Sequence, residues 1–131
     1  MSAVKIKFES LQNALLRLKE GVNQVHETDT LQKDGVIQRF EFTFELAWKT
    51  LKAIFENEGI IGLNSPKTVF REAFHAQIID DEEIWLSMLG DRNAASHTYN
   101  EAVAAEIYHQ ITSKYIPLLD ELVNKIIVRT S

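Results

Sequence analysis

The sequence of 131 residues contains no cysteine. A chain without cysteine has no disulfide framework, no thiolate metal site and no cysteine nucleophile. Such a composition suits a reducing cytoplasm, and we expect a cytoplasmic protein. No apolar stretch approaches the roughly 20 residues that a membrane-spanning helix needs. Charged residues also interrupt the first twenty positions, so we expect neither a membrane span nor a signal peptide.

Glycine and proline are scarce, with five and two residues respectively, so turn signals are few and the segments between them are long. The hydrophobic fraction of 45% and the charged fraction of 25% are ordinary for a globular protein. We expect residues 1–131 to form a single domain. The formal net charge of −5 argues against a general nucleic-acid binder, so any contact with RNA must be local.

Apolar residues recur every three or four positions along most of the chain, which predicts amphipathic helices. The predicted fold is all-α, an antiparallel up-and-down four-helix bundle with an extra short helix. The predicted helices span about residues 3–26, 30–58, 66–77, 82–93 and 98–128, and the last one is expected to bend near Pro117.

Residue types that terminate helices set these bounds. Asp29, Ser65 and Thr98 are the predicted N-caps of the second, third and fifth helices, and Asp80 or Asp81 that of the fourth. Thr98 is followed by Glu101 in a T-x-x-E capping-box pattern, which predicts that the chain breaks immediately before it. The second helix is expected to stop at Gly59, a residue type that favours helix C-termini.

The second predicted helix is apolar on two faces. Its main stripe contains Phe40, Phe44 and Leu51, whereas Phe42, Leu46 and Ala53 lie on the opposite side. We expect this second face to be covered by another helix layer or by another chain, and a homodimer is one of these two alternatives.

The segment from Arg92 to Tyr99 contains residue types suited to phosphate chemistry. His97 follows Arg92 by five positions, so on one continuous helix their side chains would point about 140° apart. The break predicted at Thr98 would instead bring both into one groove. Arg92 also lies on the apolar stripe of its helix, where a guanidinium needs a partner or a ligand.

Arginine and histidine could together cleave RNA without a metal. Arginine holds phosphate with a planar, permanently charged fork, and histidine exchanges protons near neutral pH. One chain supplies one histidine here, so separate acid and base roles favour a site shared across a two-fold dimer. The alternative is that Arg92 and His97 are only hydrogen-bonded structural residues at a helix junction.

The pattern Arg92-x4-His97-x-Tyr99, together with the long aromatic helix around Phe40–Trp48, resembles HEPN-superfamily toxins that are encoded beside minimal nucleotidyltransferase antitoxins. The chain is similar over nearly its whole length to the branch of nucleotidyltransferase substrate-binding proteins. The resemblance implies a bundle like the helical domain of kanamycin nucleotidyltransferase, a homodimer, and a nucleotidyltransferase partner.

The resemblance also implies residue roles. Arg92 and His97 would be the metal-independent ribonuclease pair, Asn93 a supporting polar residue, and Tyr99 the hydroxyl that the partner modifies with adenylate, silencing the toxin. No cofactor is implied. The alternative is a non-catalytic subunit that binds nucleotide or substrate for a two-component nucleotidyltransferase. Without the resemblance, Tyr99 is interpreted as a half-buried packing residue.

Two Glu-x-x-His patterns, at Glu72–His75 and Glu106–His109, are also found in the ligand sets of helical di-metal bundles. Such ligands must point into the bundle, whereas both pairs fall opposite the apolar faces of their helices. We therefore expect no metal site.

Overall fold

The computed structural model describes residues 2–26, 29–97 and 100–130, and in these ranges all regular structure is helical. The architecture is a four-helix bundle, whose last helix is interrupted by a π-helical turn, with one short helix added, which confirms the predicted all-α fold. No helix of the described ranges is long and apolar enough to cross a membrane. The elements are α1 (Ala3–Asn23), α2 (Thr30–Asn57), α3 (Pro66–His75), α4 (Glu82–His97), α5 (Glu101–Gln110) and α6 (Ile116–Thr130).

The first three helices begin and end close to their predicted bounds. The Asp29 carboxylate caps α2 by accepting a hydrogen bond of 3.0 Å from the backbone N–H of Gln32. Gly59 follows α2 with a φ of 90°, the left-handed conformation that favours glycine after a helix. Ser65 and Thr68 form a reciprocal capping box at the start of α3. The three helices end one to three residues earlier than predicted.

The predicted end of α4 near Asn93 is wrong, because the helix continues to His97. Ala94 and Ala95 have high helix propensity and allow the continuation. Ser96 then donates a hydrogen bond of 2.6 Å to Oε1 of Glu41 on α2, which ties the last turn of α4 to the bundle. The local sequence could not predict this contact, because Glu41 lies 55 residues before Ser96 in the chain.

The predicted start of the next helix at Thr98 is also wrong. Asn100 is the N-cap of α5, and its Oδ1 accepts hydrogen bonds from the backbone N–H groups of Ala102 and Val103 at 2.9 and 3.2 Å. Asparagine is a better N-cap than threonine, which explains why the helix begins two residues later. Thr98 itself lies outside the described residues.

A π-helical turn at Ile111–Tyr115, immediately before Pro117, joins α5 to α6, so that residues 101–130 form one long helix, and the bend predicted near Pro117 stays a prediction. Pro117 has no N–H to donate to a carbonyl one turn earlier, and the helix accommodates this loss by widening. The backbone N–H of Ile116 instead reaches the carbonyl of Ile111.

Aromatic side chains connect the helices at the centre of the bundle. Phe40 of α2 stacks on Tyr115 at 5.5 Å between ring centroids. Phe70 of α3 contacts Phe44 of α2 at 5.6 Å and Trp85 of α4 at 5.2 Å. All five side chains are at most 2% exposed, so the predicted main stripe of α2 does face the core.

The second apolar face of α2 is only partly covered within one chain. Ala53 is buried and Leu46 is half-buried, but Phe42 is 63% exposed. No helix layer of the described chain therefore covers Phe42, so the first of the two predicted alternatives fails at this residue, and coverage by another chain stays a prediction.

Candidate functional site

Arg92 lies on α4 and faces α2. Its Nη2 is 3.4 Å from Oε2 of Glu45, and both side chains are 32% exposed. This ion pair confirms that an arginine on the apolar side of α4 requires a partner. The pair also leaves about a third of the Arg92 side chain open to solvent, so a ligand can still reach it.

Glu45 holds three donors at once. Besides Arg92, it accepts a hydrogen bond of 3.0 Å from Nε1 of Trp48, and its Oε1 is 3.3 Å from Nζ of Lys49. Burial by itself raises the pKa of Glu45, but the bond from Trp48 and the charges of Lys49 and Arg92 outweigh it and lower the pKa below its ordinary value of 4.5. Glu45 is therefore ionised throughout the neutral range and gives Arg92 a fixed counter-charge.

Within the described residues, the partners of Arg92 do not use all the donors of its guanidinium. Its Nη1 is at 3.4 Å from Oδ1 of Asn93, a long hydrogen bond, and its Nε is buried without a partner among the described residues. An arginine has five donors in a planar fork. Because Nε is buried, a ligand can reach only the donors of Nη1 and Nη2, and these together with the positive charge suit a group with several acceptor oxygens, such as phosphate.

His97 is the last residue of α4, so Arg92 and His97 belong to one continuous helix. The expectation that a helix break separates them is wrong. Five residues along one helix correspond to about 140° of rotation and about 7.5 Å of rise, so the two positions do not share a face. The side chain of His97 and the whole of Tyr99 lie outside the described residues.

A second contact between helices adjoins Arg92 and was not found by sequence reasoning. Tyr115 lies in the π-helical turn, and its hydroxyl donates a hydrogen bond to Oδ2 of Asp91. Burial raises the pKa of Tyr115 far above its ordinary value of 10, and the bond to Asp91 raises it further. The phenol therefore stays a donor, and it fixes α4 at the residue immediately before Arg92.

A cavity of about 300 Å³ opens between α2 and α5, next to the last turns of α4. Ile37 and Ile107 form an apolar floor, and both are buried. The polar wall consists of Asp34, Gln38 and Glu41 on α2 and Asn100 at the start of α5. We refer to it as the α2–α5 cavity.

The chain matches one known protein family over nearly its whole length. The model of the family described as "Nucleotidyltransferase substrate binding protein like" matches residues 6–127, nearly the whole chain. The chain belongs to this family. The match confirms the resemblance inferred from the Arg92-x4-His97-x-Tyr99 pattern and the aromatic helix.

Two bacterial relatives share more than 30% sequence identity with the aligned part of this chain. It is 37% identical over 81 residues to the "Probable ribonuclease HepT" of Haemophilus influenzae, an alignment that spans 59% of this chain and 56% of the relative's length. A protein of Thermus thermophilus is 35% identical, with a TM-score of 0.78 over 88% of this chain and 97% of the other.

The AMPylated HEPN toxin of Shewanella oneidensis, solved in complex with its MNT antitoxin, has the same fold. The TM-score is 0.80 over 98% of this chain and 99% of the toxin, at 17% sequence identity. At this identity the likeness shows the fold alone.

The Glu-x-x-His residues of this family member lie at the surface. His75 of α3 and both Glu106 and His109 of α5 are exposed, and Glu106 accepts a hydrogen bond of 2.9 Å from Gln110. Among the described residues, no group of three or more potential ligands is placed to hold a metal ion.

Proposed function

We propose that this chain is a HEPN-type toxin, an endoribonuclease that works without a metal and uses Arg92 and His97 as its catalytic pair. The observation that carries the proposal is the state of Arg92, whose charge is fixed by Glu45 while a third of its side chain remains exposed. Asn93, at 3.4 Å from Nη1, supports the orientation of the guanidinium. The name of the Haemophilus relative, a ribonuclease, adds to this support.

The proposed reaction is an internal transfer at phosphorus. The 2′-oxygen of a ribose gives its proton to a histidine and attacks the adjacent phosphorus, and the bond from phosphorus to the leaving 5′-oxygen breaks. A second histidine, protonated, supplies a proton to that leaving oxygen. Arg92 stabilises the charge that accumulates on the phosphoryl oxygens during the attack.

The two histidine roles require a homodimer in this proposal, because one chain contributes one His97. Phe42 supplies a surface for the second copy, since it is 63% exposed on α2 and lies three residues before Glu45. A dimer that covers Phe42 would therefore also bring the second chain close to the Arg92–Glu45 pair.

The proposed partner is a minimal nucleotidyltransferase that acts as antitoxin and adenylylates Tyr99. In this step the phenolic oxygen attacks the α-phosphorus of ATP, pyrophosphate leaves, and the phenolic proton is released to solvent. The modification adds a bulky anion two residues after His97, which would repel the RNA phosphate. The Shewanella toxin, which carries AMP and was solved with its antitoxin, supports this partner class.

The ribonuclease proposal is tested with RNA and purified protein in the presence of EDTA. We expect the wild type to cleave, and His97→Ala and Arg92→Ala to lose cleavage while remaining folded. His109→Ala is the matched control, because His109 is exposed on α5 outside the motif. Equal cleavage by His97→Ala, or cleavage that disappears with EDTA in the wild type, would contradict the proposal.

The adenylylation proposal is tested by the intact mass of the chain after incubation with the nucleotidyltransferase and ATP. We expect a gain of one or more adenylates in the wild type and none in Tyr99→Phe. A gain that persists in Tyr99→Phe would remove Tyr99 as the acceptor.

A second candidate is a non-catalytic subunit that binds nucleotide or substrate for the nucleotidyltransferase. The formal net charge of −5 favours it, because an acidic chain attracts RNA poorly. A stable complex with the nucleotidyltransferase, without mass gain and without RNA cleavage, would select this candidate.

A further inference from the structure

The polar wall of the α2–α5 cavity is part of a longer row on one face of α2. Asp34, Gln38, Glu41 and Glu45 follow one another at steps of four, three and four residues, which places them along one side of the helix. The last of them holds Arg92. The row therefore leads from the cavity directly to the candidate catalytic arginine.

Most hydrogen-bonding capacity of this wall is unused by the described chain. Asp34 and Gln38 have no partner there, and Glu41 uses only Oε1, for the bond from Ser96. Asn100 uses its Oδ1 to cap α5, which leaves its amide N–H groups for other partners. The cavity thus presents several free acceptors and an amide donor above an apolar floor.

The lining of this cavity restricts the chemistry of its ligand. None of its described lining residues carries a positive charge, and two carry a negative one, so an anion is disfavoured inside it. An ionised carboxylate only accepts hydrogen bonds. The cavity therefore suits an uncharged, partly apolar group with adjacent N–H donors, and its volume of about 300 Å³ lies at the small end of ligand sites.

We propose that the α2–α5 cavity binds the guanine base of an RNA nucleotide whose phosphate lies at Arg92. This inference rests on the proposed ribonuclease function and names its substrate preference. Guanine carries two adjacent donors, N1–H and the 2-amino group, which can bond in parallel to the two oxygens of Asp34. Adenine, cytosine and uracil each place an acceptor beside their donor, which a carboxylate cannot bond.

The spacing along α2 fits one nucleotide. Asp34 and Glu45 are eleven residues apart, about 16 Å along the helix axis, and side chains reach inward from both ends. Gln38 and Glu41 lie between them, beside the apolar floor on which a base can pack. Unpaired RNA bases are commonly read in this way, by packing on their faces and by hydrogen bonds to their Watson–Crick edges.

Equilibrium binding of nucleoside monophosphates to the intact protein tests the proposal. We expect GMP to bind at least about tenfold more tightly than AMP, CMP or UMP, since one hydrogen bond to a charged group is worth roughly a factor of ten or more. IMP lacks the 2-amino group and should bind about tenfold more weakly than GMP.

Two variants locate the preference. Asp34→Asn should remove the discrimination between GMP and AMP, because the amide offers one acceptor in place of two. Glu9→Gln is the control, since it removes one negative charge from an exposed position on α1. Its discrimination should equal that of the wild type, and circular dichroism establishes that both variants are folded.

Three outcomes of the binding measurements would overturn the proposal: equal binding of all four nucleotides, unchanged discrimination in Asp34→Asn, or binding of arginine amide in the cavity without any preference among nucleotides. The last would assign the cavity to a cationic side chain of a protein partner. RNA cleavage without preference for guanosine would overturn this inference alone. Guanine-selective binding without cleavage would support it while rejecting the proposed ribonuclease.

Discussion

Arg92 is held by an ion pair on one side and remains partly exposed on the other. The planar fork of an arginine can bond to different groups through different donors. Here Glu45 fixes the charge through Nη2, whereas Nη1 has only a long bond to Asn93. One part of the Arg92 side chain therefore holds the guanidinium in position, and another part can bind a ligand.

Only part of this arrangement can be predicted from the sequence. The apolar stripe of α4 shows that Arg92 needs a partner, but it does not show which one. Glu41, Glu45 and Glu56 are all carboxylates of the same long helix, and the choice among them depends on how α2 packs against α4. The spacing of Glu45 and Trp48 would be a usable signal, because residues three positions apart are neighbours on a helix surface and the indole N–H of Trp48 does bond to Glu45.

The Glu45–Arg92 pair should be measurable in a double-mutant cycle. We expect Glu45→Gln and Arg92→Gln to be coupled by about 0.5–1 kcal/mol in the free energy of unfolding, as befits a partly exposed ion pair. Urea unfolding of the two single variants and the double variant measures this quantity. Glu20→Gln, an exposed position on α1, should show no coupling to Arg92→Gln.

The same pair predicts a pH dependence. Because the pKa of Glu45 is lowered in the folded state, its stabilising contribution is complete above 4.5 and is lost as the pH falls through the folded-state pKa. Glu45→Gln should therefore destabilise the protein at neutral pH, and its difference from wild type in the free energy of unfolding should shrink progressively as the pH falls below 4.5. A difference that stays constant over this range would contradict the assignment.

Tyr115 offers a third residue-scale prediction. Tyr115→Phe removes the donor to Asp91 and leaves a half-buried carboxylate without it, which should cost about 1–3 kcal/mol in the free energy of unfolding. Tyr108→Phe is the matched control, because its ring contacts Lys33 and its hydroxyl has no hydrogen bond within the described chain. Equal melting temperatures for the two variants would show that the Asp91 bond contributes nothing.

Among the elements, the junction between α4 and α5 separates what local sequence predicts from what it does not. The capping-box pattern at Thr98 and Glu101 competes with an asparagine cap two residues later, and the asparagine prevails. The alanines before it continue α4, and the bond from Ser96 to Glu41 holds the extension in place. The sequence predicted that two helices meet in this region. It did not predict where one ends and the other begins, because that position depends on a contact between α2 and α4.

This junction can be tested through its cap. Asn100→Ala should cost about 1 kcal/mol of stability and speed amide hydrogen exchange at Ala102 and Val103, whose N–H groups lose their acceptor. Asn100→Ser retains a capping oxygen and should behave like the wild type in both measurements. Unchanged exchange in Asn100→Ala would mean that other groups hold the start of α5.

At the scale of the whole molecule, periodicity was sufficient for the fold and insufficient for its surface. Apolar residues at steps of three and four predict a four-helix bundle with an extra short helix, and burial of the main stripe of α2 against Tyr115, Phe70 and the other core residues follows. The second stripe of α2 has the same pattern, yet within one chain Ala53 is buried and Phe42 is not. An apolar pattern predicts that a face is to be covered, but it does not identify the covering surface.

The exposed Phe42 therefore leads to the last prediction, which concerns the assembly. If a second copy covers this face, Phe42→Asp should turn the dimer into a monomer in sedimentation equilibrium, because the change places a charge in an apolar interface. RNA cleavage should fall with it, since each site would lose the histidine of the other chain.

Ile61→Asp is the control for this experiment. Ile61 is 79% exposed in the loop between α2 and α3, so the same charge there should change neither assembly nor cleavage. A Phe42→Asp protein that sediments as a dimer would place the interface on another face. Cleavage by a monomeric Phe42→Asp protein would instead show that one chain supplies both proton-transfer groups, and the requirement for a shared site would be removed.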